Sequence, residues 1–265
     1  MALTQLELTP YELVGIIFIV IAIILYLILG LILLNSYRKS KRNSTLYMSL
    51  ILLIGCLALI SLALEQLLLI TSKVTEAQAP PMKSFLEFSA NEIDVFWLSY
   101  FFAVIAWITS ASAILSACFF TQSFLSEKYK KFLIFPAIML TLYVVVLTYA
   151  PFQWIEVLGD WQPNHGDFFE IIGYILLFPN LWMIVVLFFY LTFSLFRKGI
   201  PRWKQTLLLA IGQLFLSIGY TVEILNIPDP TIALLARFTI MMYPIIMWLG
   251  FIPPNWFKRI IGVSM

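Results

Sequence analysis

The sequence predicts an all-α integral membrane protein: a seven-transmembrane-helix bundle with its N-terminus outside and its C-terminus cytoplasmic. Three observations lead there. Of the 265 residues, 62% are hydrophobic and 11% charged, against roughly 45–50% and about 25% in soluble domains. With a mean hydropathy of +0.97, most side chains must face lipid or one another. Seven runs reach the length of about 20 apolar residues that a helix rising 1.5 Å per residue needs to cross roughly 30 Å of hydrocarbon. Basic residues gather in alternate connections between those runs. The same composition excludes a soluble globular domain, a disordered chain and a nucleic-acid binder, and a net charge of +2 specifies no anionic partner.

The runs cover 12–35, 46–71, 94–121, 132–151, 168–196, 204–226 and 231–252, all within a single domain over 1–265. Helices are expected because lipid cannot satisfy backbone polar groups and the runs lack the alternation of barrel strands. The first run reads as a retained span. No Lys or Arg precedes it, Glu7 and Glu12 lie on its amino side, and it is long for the apolar part of a signal peptide. Its positive flank follows it: Arg38, Lys39, Lys41 and Arg42. With the N-terminus outside, the inner segments also collect Lys128, Lys130, Lys131, Arg197, Lys198, Arg202, Lys204, Lys258 and Arg259, whereas Glu76, Glu87, Glu92, Glu156, Asp160, Asp167 and Asp229 fall outside. Only an odd number of spans keeps that alternation.

Two outer connections are longer than the rest. Residues 72–93 contain Pro80 and Pro81; residues 152–167 contain Gly159, Pro163, Gly166, Trp154 and Trp161. The second is expected to be a loop with its tryptophans at the membrane interface. Beyond Pro253 and Pro254, the stretch NWFKRIIGVSM reads either as a short amphipathic helix on the inner surface or as a frayed tail.

Several chemistries lack their residues. The seventh run has no lysine for a retinal Schiff base, and no HExxH motif is present. The single histidine, His165, reads as an ordinary loop residue, and Cys56 and Cys118 as small packing residues rather than a disulfide. No cofactor, metal site or catalytic residue is expected, and the protein reads as non-enzymatic.

What remains is polar chemistry inside the spans, where ionisable groups are costly and usually face the bundle interior. Glu65, Glu223 and Arg237 fall at similar depth toward the outer side, Arg237 about six residues in, or about 9 Å. Arg237 is expected to pair with Glu223, Glu65 or both. Gln213, Ser217, Tyr220 and Glu223 share one face of the sixth helix, leading outward from mid-membrane. Asp94 and Glu170 mark the outer rim, and Tyr174 lies one turn after Glu170. These groups read either as a hydrogen-bonded clasp between helices or as a clasp that also lines an outward-facing pocket. Thr109, Ser110, Ala111, Ser112, Ala113, Ser116 and Ala117 make the third helix a close-packing, central one. Pro136, Pro179 and Pro244 are expected kinks.

The motifs of eukaryotic G-protein-coupled receptors do not match. The third helix ends FFTQSFLSEKYKK without an acidic-Arg-aromatic triplet, and the seventh carries YPIIMW in place of Asn-Pro-x-x-Tyr. The end of the seventh helix, Trp248 to Gly250 followed by Pro253, Pro254 and Arg259, resembles the junction in the seven-helix sensory region found at the N-terminus of some prokaryotic histidine kinases. The resemblance implies a receptor-like or sensor-like role. With no kinase domain after the junction, output would pass through a separate cytoplasmic signalling protein at the basic inner loops. The lipid bilayer is the first partner and the plasma membrane the expected location. Alternatives are a small transporter or channel-like protein, disfavoured by the odd span count and the absence of an inverted repeat, and a structural or assembly subunit of a membrane complex.

Overall fold

The computed structural model describes residues 10–71, 95–122, 134–157, 160–225 and 229–262. Within them run eight helices and one hairpin: α1 (Pro10–Ser40), α2 (Asn43–Thr71), α3 (Val95–Gln122), α4 (Ile134–Tyr149), β1 (Gln153–Val157), β2 (Asp160–Asn164), α5 (Gly166–Arg197), α6 (Trp203–Ile224), α7 (Pro230–Phe251) and α8 (Asn255–Ile261). Six helices, α1, α2, α3, α5, α6 and α7, are long and apolar enough to cross a membrane. The chain is therefore a mainly helical, multi-pass membrane protein. The expected 132–151 run forms a shorter apolar helix of 16 residues, about 24 Å at the standard rise. Pro151 ends it, since the residue before a proline is pushed out of helical conformation, and Ala150 is already a bend.

Seven helices close into a ring. Each of α1 to α7 packs against the next, α7 returns to α1, and α3 also touches α5. On α1, Ala22, Tyr26, Leu29 and Leu33 are buried at spacings of one helical turn. The opposite face shows Ile17, Val20, Ile24, Leu27 and Leu31, each more than 40% exposed. Both faces are apolar, the pattern of a helix that packs inward and meets lipid outward.

The connections follow from local chemistry. Lys41, at φ 54°, turns the chain between α1 and α2. After α5, Gly199 adopts φ 65°. Its N–H donates to the Phe196 carbonyl and that of Ile200 to Leu195, a helix ending that needs a left-handed residue. Asp229 caps α7, its Oδ1 accepting from the N–H groups of Thr231 at 2.8 Å and Ile232 at 3.1 Å, with Pro230 at the first helical position. The segment 153–164, expected as a loop, is instead an antiparallel hairpin with Gln153 opposite Asn164 and Val157 opposite Asp160. The tail forms α8, closed by Gly262 at φ 66°.

Helices α6 and α7 approach closely. A Cβ at Gly219 would stand 2.6 Å from Ile240 Cγ1 and Thr239 Oγ1 and 2.9 Å from the Ala236 carbonyl oxygen. Gly212 and Gly250 make the same approach against Met247 and Leu209. Leu33, Met48, Leu52, Phe120, Phe188 and Met247 fill the end of the bundle opposite the hairpin, all 1% exposed or less.

Candidate functional site

Among the described residues, the hairpin end of the ring is not filled. It holds a cavity of about 240 Å³ walled by residues of α1 to α7 and by His165. The placement follows from sequence position. Glu65 lies six residues from the end of α2, Glu170 in the second turn of α5, Glu223 in the last turn of α6 and Arg237 in the second turn of α7. Antiparallel neighbours bring all four to one level.

Arg237 Nε donates to Glu223 Oε1 at 3.2 Å, with the two side chains 16% and 34% exposed. The guanidinium lies over Gly15 of α1, where an added Cβ would collide with Nη1. Helices α1, α6 and α7 thus meet at one cation. Glu65 does not join the pair. It is 7% exposed, faces the cavity and has no hydrogen bond or ion pair among the described residues. Glu170 Oε2 accepts the Tyr174 hydroxyl at 3.2 Å, and the same hydroxyl lies 3.2 Å from the Ile224 carbonyl, joining α5 to α6.

The polar face of α6 divides in two. Tyr220 and Glu223 line the cavity. Gln213 and Ser217 lie deeper and are 1% exposed or less. Gln213 Nε2 donates to the Tyr243 hydroxyl at 3.2 Å, and the Ser217 hydroxyl donates to the Leu181 carbonyl at 3.3 Å. The deeper half therefore clasps α6 to α7 and α5, and the upper half faces open space. The rim residue Asp94 lies outside the described residues. Ser110 and Tyr220 separate the cavity from a smaller void of about 20 Å³ beside Tyr26, Gln213 and Tyr243.

His165 corrects the reading of an ordinary loop residue. It is 3% exposed, walls the cavity and packs among the rings of Trp107, Phe152 and Tyr100, with centroids 5.5, 5.7 and 6.5 Å away. Phe152 in turn stacks on Tyr100 at 3.8 Å, and the Tyr100 hydroxyl donates to the Leu147 carbonyl at 3.0 Å. The chain entering and leaving the hairpin is thereby tied to α3 and α4. Neither ring nitrogen of His165 finds a hydrogen-bond partner among the described residues. Desolvation pushes its pKa down to about 4, against the pull of the Pro151 and Ala150 carbonyls, so the ring is neutral at pH 7.

Trp107, Ser110 and Tyr143 also line the cavity. No sequence signal singled them out for it, because facing the interior depends on helix rotation. Cys56 and Cys118 are buried free thiols, and Cys56 lies 3.6 Å from the Ile23 carbonyl of α1. Among the described residues, no three His, Cys, Asp or Glu side chains converge as metal ligands would. The site offers an unpaired carboxyl, a bound ion pair, aromatic hydroxyls and an apolar floor, which is equipment for holding a small molecule. Comparison with protein families, curated proteins and solved structures finds no match for this chain.

Proposed function

We propose that this is a non-enzymatic, receptor-like or sensor-like membrane protein of seven spans. Its N-terminus is outside, and it binds a small ligand in the cavity at the hairpin end. The signal leaves through a cytoplasmic partner at the basic inner connections and α8. The observation that carries the reading is the cavity itself: polar groups from α2, α5, α6 and α7 gather at one level, above a bundle half packed with Phe120, Phe188, Met48 and Met247. A blind pocket suits a binder better than a transporter, whose site opens alternately to both sides.

Seven spans fit the ring. The Tyr100 hydroxyl near the start of α3 reaches the Leu147 carbonyl near the end of α4, so the two run antiparallel along the same depth. A helix of 16 residues can cross by local thinning of the bilayer. Orientation is tested with an impermeant thiol reagent on intact cells. Gln153→Cys at the hairpin is expected to react. Arg42→Cys between α1 and α2 is expected to react only after permeabilisation. The reverse pattern would overturn the orientation and the outward pocket together.

A further inference from the structure

We propose that the cavity takes a small organic cation, with its ammonium group against the Glu65 carboxylate and its apolar or aromatic body against Trp107, Tyr143, Tyr174 and Tyr220. The proposal rests on the outward-pocket reading and names its ligand class.

Glu65 is the group the fold leaves incomplete. It is more than nine-tenths buried, faces the cavity and has no partner among the described residues. A carboxyl buried without a partner is expensive to ionise, and a cation entering beside it supplies the partner that lets it carry charge. The other carboxyls have theirs: Glu223 takes Arg237 Nε and Glu170 takes the Tyr174 hydroxyl. Among the described residues, the walls carry three carboxyls against one guanidinium, and that guanidinium is held by Glu223 and seated over Gly15. His165 is neutral and adds no positive charge.

An anionic ligand would meet this acidic excess. A zwitterion would have to draw Arg237 away from Glu223. A cation meets complementary charge and ring faces that attract it further. At about 240 Å³, the space lies below the roughly 300–1,000 Å³ of pockets for drug-sized ligands, which limits the occupant to a small amine.

The test uses Gly173→Cys in the full chain. Gly173 lines the cavity, and a Cβ there meets its nearest neighbour, Leu147, at an ordinary 3.5 Å. Two methanethiosulfonates of similar size serve as probes, one bearing trimethylammonium and one sulfonate. The unsubstituted chain, whose cysteines are buried, gives the blank. Phe168→Cys, at a residue 70% exposed, sets the intrinsic rate ratio. A cleft of one sign concentrates counter-ions by about tenfold or more, so the normalised rate for the cationic probe is expected to lead by about tenfold.

Adding Glu65→Gln should remove most of that preference. Phenylethylammonium should slow modification, phenylacetate should not, and Glu65→Gln should abolish the protection. Equal normalised rates, a sulfonate preference or protection by phenylacetate would overturn the cation while leaving the pocket standing. Failure of both probes to react, in a chain whose unfolding temperature matches the parent, would overturn the outward pocket and the cation with it. Ala103→Cys on the facing wall repeats the test if Gly173→Cys does not fold.

Discussion

At the scale of single residues, the Arg237–Glu223 pair is the contact whose loss is simplest to read. Arg237→Met removes the guanidinium from the Glu223 carboxylate and empties the seat over Gly15. Breaking a fully buried pair costs about 3–5 kcal/mol. Because Glu223 is 34% exposed, about 1–3 kcal/mol is expected here, read as a lower unfolding temperature in detergent. Arg237→Met combined with Glu223→Gln should regain part of the loss. Strict additivity of the two changes would show that the 3.2 Å contact carries no coupling.

His165 gives a second prediction at the same scale. Its pKa in the folded chain, about 4, lies below its ordinary 6.5, so the unfolded chain binds the proton first. His165 leaves stability unchanged above pH 6.5 and subtracts from it progressively as pH falls toward 4. His165→Phe, which keeps a ring among Tyr100, Trp107 and Phe152, should flatten the decline of unfolding temperature between pH 6.5 and 4. An unchanged slope would place the pH dependence elsewhere.

At the scale of elements, the sequence reading succeeded where the bilayer itself dictates the pattern. Long apolar runs had to become helices, and those at α1, α2, α3, α5, α6 and α7 did. The α4 run, expected to reach 151, ends at Tyr149 because Pro151 pushes the residue before it out of helical conformation, a stop signal that the sequence itself carries. The hairpin escaped notice because residues 153–157 and 160–164 carry charge, proline and tryptophan without clean alternation. Depth was legible from counting along each run, which put Glu65, Glu223 and Arg237 at one level. Rotation about each helix axis was not, so the choice of Glu223 over Glu65 as the partner of Arg237 had to come from the structure. His165 was missed for a related reason: its ring neighbours Tyr100 and Trp107 lie some 60 residues earlier in the chain.

The close approach of α6 and α7 supplies the prediction at this scale. Gly219→Ala places a Cβ 2.9 Å from the Ala236 backbone oxygen, and backbone cannot rotate out of the way. Overpacking of this kind costs about 1–3 kcal/mol. It should also disturb the Arg237–Glu223 contact one turn above. Gly173→Ala meets only ordinary 3.5 Å contact and is expected to be close to neutral. Equal unfolding temperatures for the two variants would contradict the packing described.

At the scale of the molecule, the two ends of the bundle differ in kind. One end is filled by large apolar side chains, and the other keeps a polar-rimmed cavity. Between them Gln213, Ser217 and Tyr243 tie three helices together through hydrogen bonds. A ligand that drew α5, α6 and α7 together around the cavity would act on the same helices that carry this clasp. In the proposed orientation, that arrangement would couple an outer site to the inner ends of the helices without a channel through the bundle. The measurement that tests it most directly is cysteine accessibility along the bundle axis, in membrane vesicles of known sidedness, with a small impermeant thiol reagent. Ala103→Cys, Ala106→Cys and Gly173→Cys at the cavity should react from the outer side alone, and Ala117→Cys and Ala210→Cys in the packed half from neither side. Inert cysteines at the cavity, or reaction at Ala117→Cys and Ala210→Cys, would contradict the blind outer pocket.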